Sequence, residues 1–156
     1  MKLTSIVKEV SNEDHSLFAF RSEIDPDFEV FIIYPENERY REMKIMFEQW
    51  GSAFIDLSEK QIFIDGKEVN KKWFTNNHLI FQQAHEIAHS VLKHDSDFDE
   101  DQEAEADFVA IQICKARGKY KAATLGNKQF IKRNGIEYKE YKFSKRAGLL
   151  LQEYIL

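Results

Sequence analysis

Cysteine occurs once in the chain, at Cys114, so no disulfide can close within it and the usage suits a reducing compartment. Two prolines and six glycines in 156 residues leave no Pro/Gly-rich linker or low-complexity stretch, and no internal repeat is visible. Long apolar runs are also missing. None approaches the ~20 residues of a membrane helix, and the opening MKLTSIVKEV alternates polar and apolar residues, unlike a signal peptide. These absences lead to the expectation of a cytoplasmic protein with no membrane partner.

What the chain does have is apolar residues, 43% of the total, with thirteen phenylalanines. That is enough for one folded domain spanning 1–156 around one core. Charge is unevenly spread. Residues 1–114 carry 11 Lys/Arg against 24 Asp/Glu, net −13, whereas 115–156 carry 11 against 3, net +8. The basic segment 115–156 could meet an acidic partner or nucleic acid. No nucleic-acid motif accompanies it, so packing beside the acidic part of the chain, or a solvated face, explains it as well.

Hydrophobic spacing gives a coarse outline. Residues 2–10 read as a strand or a short helix. Ser16–Arg21 and Phe28–Tyr34 read as strands around the turn signal of Pro26. Tyr40, Met43, Met46, Phe47 and Trp50 fall at helical spacing within 37–50, and Gly51 is a stop. Ala53–Leu57 and Gln61–Asp65 read as two further strands, with a turn at Asp65-Gly66. A helix over Asn77–Lys93, an acidic turn over Asp95–Asp101 and a second helix over Glu100–Ala116 follow. Beyond Gly118 the spacing supports only a short helix at Lys128–Arg133, a break at Gly135 and a last helix over Ser144–Tyr154. The fold class expected is α+β, a zincin-like single domain in which a small, mostly antiparallel sheet packs against the helix over Asn77–Lys93 and the second helix over Glu100–Ala116.

The chemistry centres on His85-Glu86-Ile87-Ala88-His89, an HExxH sequence. On an α-helix positions i and i+4 share a face, so two imidazoles at this spacing can reach one Zn2+. Glu86 sits at the edge of that face, placed as a general base towards a zinc-activated water. The alternative is a surface helix with two chance histidines, which the apolar company of Leu79, Ile80, Phe81, Ala84, Ala88, Val91 and Leu92 argues against.

A third ligand is less plainly marked. The metzincin pattern needs Gly at position 92 and His at 95, and the chain has Leu92 and Asp95, with His94 one place early. In a continuing helix His94 would lie about 140° round from His89. It would ligate only if the helix ended early. Glu103 and Asp107 are i and i+4 on the second helix. Glu103 is the preferred metal ligand, and Asp107 is placed to accept from the free nitrogen of a ligand histidine. Glu105, about 200° from Glu103, is the reserve. Taken alone, all three would be ordinary acidic residues near a helix start. Asp95, Asp97 and Asp99 begin like a calcium loop, but Glu100 and Ala106 occupy the positions that need Gly and Glu. Cys114 reads as a small buried hydrophobe. Tyr120, Tyr138 and His78 are equal candidates to steady an oxyanion.

HEIAHSVLKH followed by EAEADFVA resembles the gluzincin arrangement of HExxH plus ExxxD, and most closely the ImmA/IrrE family of metallopeptidases, over residues 79–112. Glu103, Ala106 and Asp107 match that family's second motif. The resemblance implies a zinc endopeptidase whose protein substrate is a regulatory protein, such as a helix-turn-helix transcriptional repressor. The competing expectation is an inactive zincin scaffold that binds partners through its basic C-terminal segment.

Overall fold

The computed structural model describes residues 15–94 and 100–156. The reading of residues 2–10 and the acidic run 95–99 fall outside them. Contacts divide the chain into two compact units, with the boundary between Thr75 and Asn76.

The first unit holds a four-stranded sheet of β1 (Leu17–Arg21), β2 (Glu29–Ile33), β3 (Ala53–Asp56) and β4 (Gln61–Asp65), in the order β1-β2-β4-β3. Period-two alternation decides its faces. Val30, Ile32, Ile62 and Ile64 are fully buried on one side. The residues between them form a ladder of rings on the other, with Phe31 stacked on Phe63 and Phe63 on Phe54 at centroid distances of 5.4 and 5.2 Å. Helix α1 (Tyr40–Trp50) covers this ladder through Phe47, 5.4 Å from Phe54. β1 with β2 and β3 with β4 are antiparallel, but β2 and β4 are parallel, so the sheet is mixed. The crossover that a parallel pair needs is supplied by α1 and β3. Asp65-Gly66 is more than a turn. The Asp65 carboxylate accepts from the Lys67 amide at 3.0 Å and starts a one-turn helix, α2 (Gly66–Val69).

The second unit is helical: α3 (Asn76–Val91), α4 (Glu100–Ala116), α5 (Tyr120–Asn134), a 3-10 turn at Tyr138–Glu140, and α6 (Lys145–Ile155). α3, α4 and α5 pack on one another, and α6 lies against α3 and α4. α5 is far longer than the Lys128–Arg133 expected. Its buried stripe is Ala122, Ala123, Gly126 and Phe130, and the first three are small residues that carry little hydrophobic signal. Gly135, at φ 77°, ends it in the left-handed conformation that glycine adopts without strain. Ser144 caps α6 by accepting from the Ala147 amide at 3.0 Å. Cys114 is fully buried on α4, and burial pushes its thiol pKa up to about 12. No described helix is long and apolar enough to cross a membrane.

Candidate metal centre

α3 buries Leu79, Ile80, Phe81, Ala84, Ile87 and Ala88, which fixes its rotation and leaves His85 and His89 half-buried along one edge. α4 buries nine residues on nearly all sides, among them Asp107. Asp107 meets His85, while Glu103, one turn earlier, meets both histidines, the order expected where two helices run in opposite directions.

Three ligand atoms converge. His85 Nε2 lies 2.9 Å from Glu103 Oε2, His89 Nε2 lies 3.1 Å from the same oxygen, and the two nitrogens are 3.2 Å apart. Two imidazoles and a carboxylate so close could hold a metal ion. The far side of each ring is also engaged. His85 Nδ1 is 2.7 Å from Asp107 Oδ1, and His89 Nδ1 is 2.9 Å from His94 Nδ1. Asp107 is only 3% exposed, and its second oxygen accepts from Arg133 of α5 at 2.7 Å. A buried carboxylate in this position has no spare charge left unpaired.

The electrostatics follow from this crowding. Burial disfavours a charged His85, but hydrogen bonds with Asp107 and Glu103 outweigh it and raise its pKa well above the usual value. For Glu103 burial again works against charge, and the bonds with His85 and His89 prevail, holding the carboxyl well below the usual range. Glu86 is 7% exposed. Burial lifts it to about 8; His85 opposes the rise, and Glu103 and Asp107 add to it. Its neighbours therefore sense it electrostatically, though it is not one of the three converging groups.

The residues singled out from sequence fall into two sets. His85, His89, Glu103 and Asp107 come together. Glu105 stands apart from the ligand triangle, 3.0 Å from His94 Nε2. Tyr138 is occupied elsewhere: its hydroxyl accepts from Lys115 at 2.9 Å, and Lys115 is eight residues, about 12 Å of helix, beyond Asp107. Tyr120 is 64% exposed at the start of α5, and His78 sits in the first turn of α3. Sequence reasoning missed Arg133, because no local pattern marks an arginine that meets a carboxylate 26 residues earlier.

His94 is not where a continuing helix would carry it. α3 closes in a Schellman turn, with the Lys93 amide donating to Ser90 O at 3.1 Å and the His94 amide to His89 O at 3.0 Å. Lys93 takes the left-handed position at φ 56°, and the reversal lays His94 against His89.

No family model, curated protein or solved structure matches the chain.

Proposed function

We propose that the protein is a zinc-dependent endopeptidase of the gluzincin type, most like the ImmA/IrrE metallopeptidases, acting on a regulatory protein such as a helix-turn-helix repressor. The observation that supports this most is the convergence of His85 Nε2, His89 Nε2 and Glu103 Oε2 beside a buried Glu86. Atoms bound at about 2.0–2.1 Å to a tetrahedral zinc stand about 3.3 Å from one another. The observed separations of 2.9 to 3.2 Å fit that ion with small adjustment. Three protein ligands, leaving one position open, are the pattern of a catalytic rather than a structural site.

Zinc, when bound, supplies positive charge that polarises a carbonyl, acidifies water and lowers the pKa of Glu86. The rest falls to the chain. Glu86, as carboxylate, accepts a proton from the water that attacks the peptide carbon. It then passes that proton to the amide nitrogen as the C–N bond breaks. Asp107 holds His85 with Nδ1 protonated and Nε2 bare, and Arg133 donates to the other oxygen of Asp107.

The test compares wild type with Glu86→Gln for metal content and for cleavage of candidate repressors. Zinc should be retained, since glutamine leaves the three ligands in place, while hydrolysis falls by at least about 10²-fold. Equal cleavage by both proteins would end this mechanism. Partner binding without cleavage, unchanged by the substitution, would instead favour the inactive scaffold.

A further inference from the structure

His94 belongs to neither the ligand triangle nor the general base, yet it is only 6% exposed and both its ring nitrogens are engaged. Its Nε2 is 3.0 Å from Glu105 Oε1, and the other oxygen of Glu105 accepts from the Ser144 hydroxyl at 3.2 Å. That hydroxyl in turn accepts from the Ala147 amide. Arg146, in the same first turn of α6, donates to Leu92 O at 2.8 Å and pins the turn that carries His94.

With both imidazoles neutral, and with a bound metal ion rather than a proton between His89 Nε2 and Glu103, one assignment of protons satisfies this row. A carboxylate accepts and does not donate, so His94 must carry its proton on Nε2, facing Glu105. Neutral His94 then has a bare Nδ1, which can only accept. The group facing it, His89 Nδ1, must therefore bear a proton. A neutral His89 protonated at Nδ1 has a bare Nε2, the atom that faces His85 and Glu103. The reverse assignment would protonate His89 at Nε2 and make it unable to bind a metal. His85 achieves the same result more simply, through Asp107 directly.

We propose that His94 is a positioning residue: backed by Glu105 and Ser144, it fixes the ring and the tautomer of His89 for metal binding. The inference rests on the reading of His85, His89 and Glu103 as a zinc site. It also assigns α6 a part in the centre, since the outer end of the row is the N-cap of that helix.

Zinc affinity, measured on the full chain by competition with a chromophoric chelator, tests this without reference to activity. His94→Leu should weaken zinc binding by about 10–100-fold, the usual range for a residue that orients a ligand histidine. His94→Gln should restore most of the loss, because its amide oxygen can accept from His89 and its amide nitrogen can donate to Glu105. Cobalt substituted for zinc should show an altered visible spectrum in the leucine variant and a near-native one in the glutamine variant. Should His94→Leu fail to fold, Glu105→Leu breaks the same row one residue further out and should weaken zinc in the same direction. Wild-type affinity in the folded leucine variants, or a glutamine variant as weak as leucine, overturns the relay alone. A wild type that binds no zinc, or a His85→Ala variant that keeps it, overturns the zinc reading and the relay with it.

Discussion

Glu103 and Glu105 lie two positions apart on α4 and serve different partners. Glu103 faces the two HExxH histidines, whereas Glu105 faces His94 and Ser144. A separation of about 200° round one helix would ordinarily send them to opposite environments. The Schellman turn after α3 instead carries an imidazole round to the Glu105 side. Both substitutions should therefore affect metal binding, unequally. Glu103→Ala removes an atom of the proposed zinc site and should lower zinc affinity by more than the about 10–100-fold expected for a supporting residue such as Glu105. Titration of both variants with zinc checks the order, and equal losses, or a larger one for Glu105→Ala, would show the ligand to be misassigned. At this scale HExxH and the i, i+4 pair Glu103 and Asp107 are legible because helical periodicity alone groups them. Arg133 and the contact of His94 with His89 are not, because each depends on where an element ends or on what packs across from it.

Among the elements, α5 shows how a helix can hide from hydrophobic spacing. It packs closely on α3 because Gly126 presents no side chain to Phe81, a buried residue one turn ahead of His85. A methyl group at 126 would stand 2.2 Å from Phe81 Cε1, inside van der Waals contact. Alanine normally improves a helix over glycine by roughly 0.5–1 kcal/mol. Here the overlap, worth about 1–3 kcal/mol in a packed core, should outweigh that gain. Gly126→Ala is expected to destabilise by about 1–2 kcal/mol in chemical denaturation. Phe81→Leu combined with it should cost less than the two changes summed, because the pair is in contact. A stabilised Gly126→Ala would mean that the two helices stand further apart than described. The sheet was partly legible for the complementary reason. Phe31 and Phe63 alternate with buried aliphatics, which marks strands and their faces, but alternation carries no information on strand order or on the parallel pairing of β2 with β4.

Across the whole molecule, every residue of the candidate centre and of its supporting row lies within 76–156, one of the two compact units. Zinc at 100 times its dissociation constant should add about 2.7 kcal/mol of stability if it binds only the folded chain. Hydrogen exchange with and without a chelator should place the added protection in α3, α4 and the first turn of α6. Protection gained mainly in β1–β4 instead would move the metal away from His85, His89 and Glu103. The charge asymmetry has a partial use inside this unit. Arg133 and Arg146, from the basic segment, turn to Asp107 and to Leu92 O, while Lys121, Lys128, Lys132 and Lys142 remain exposed.

The sequence by itself determined what repeats locally: the strands of the first unit, the spans of α3 and α4, and the grouping of His85 with His89 and of Glu103 with Asp107. Each follows from a period of two or of 3.6 residues, a property of a few consecutive positions. Tertiary structure alone decided that α4 brings Glu103 within 3.1 Å of both histidines, that a left-handed Lys93 returns His94 to His89, and that Arg133 reaches Asp107. These contacts depend on how helices end and on which small residues let them approach, and neither is encoded in the spacing of any one segment.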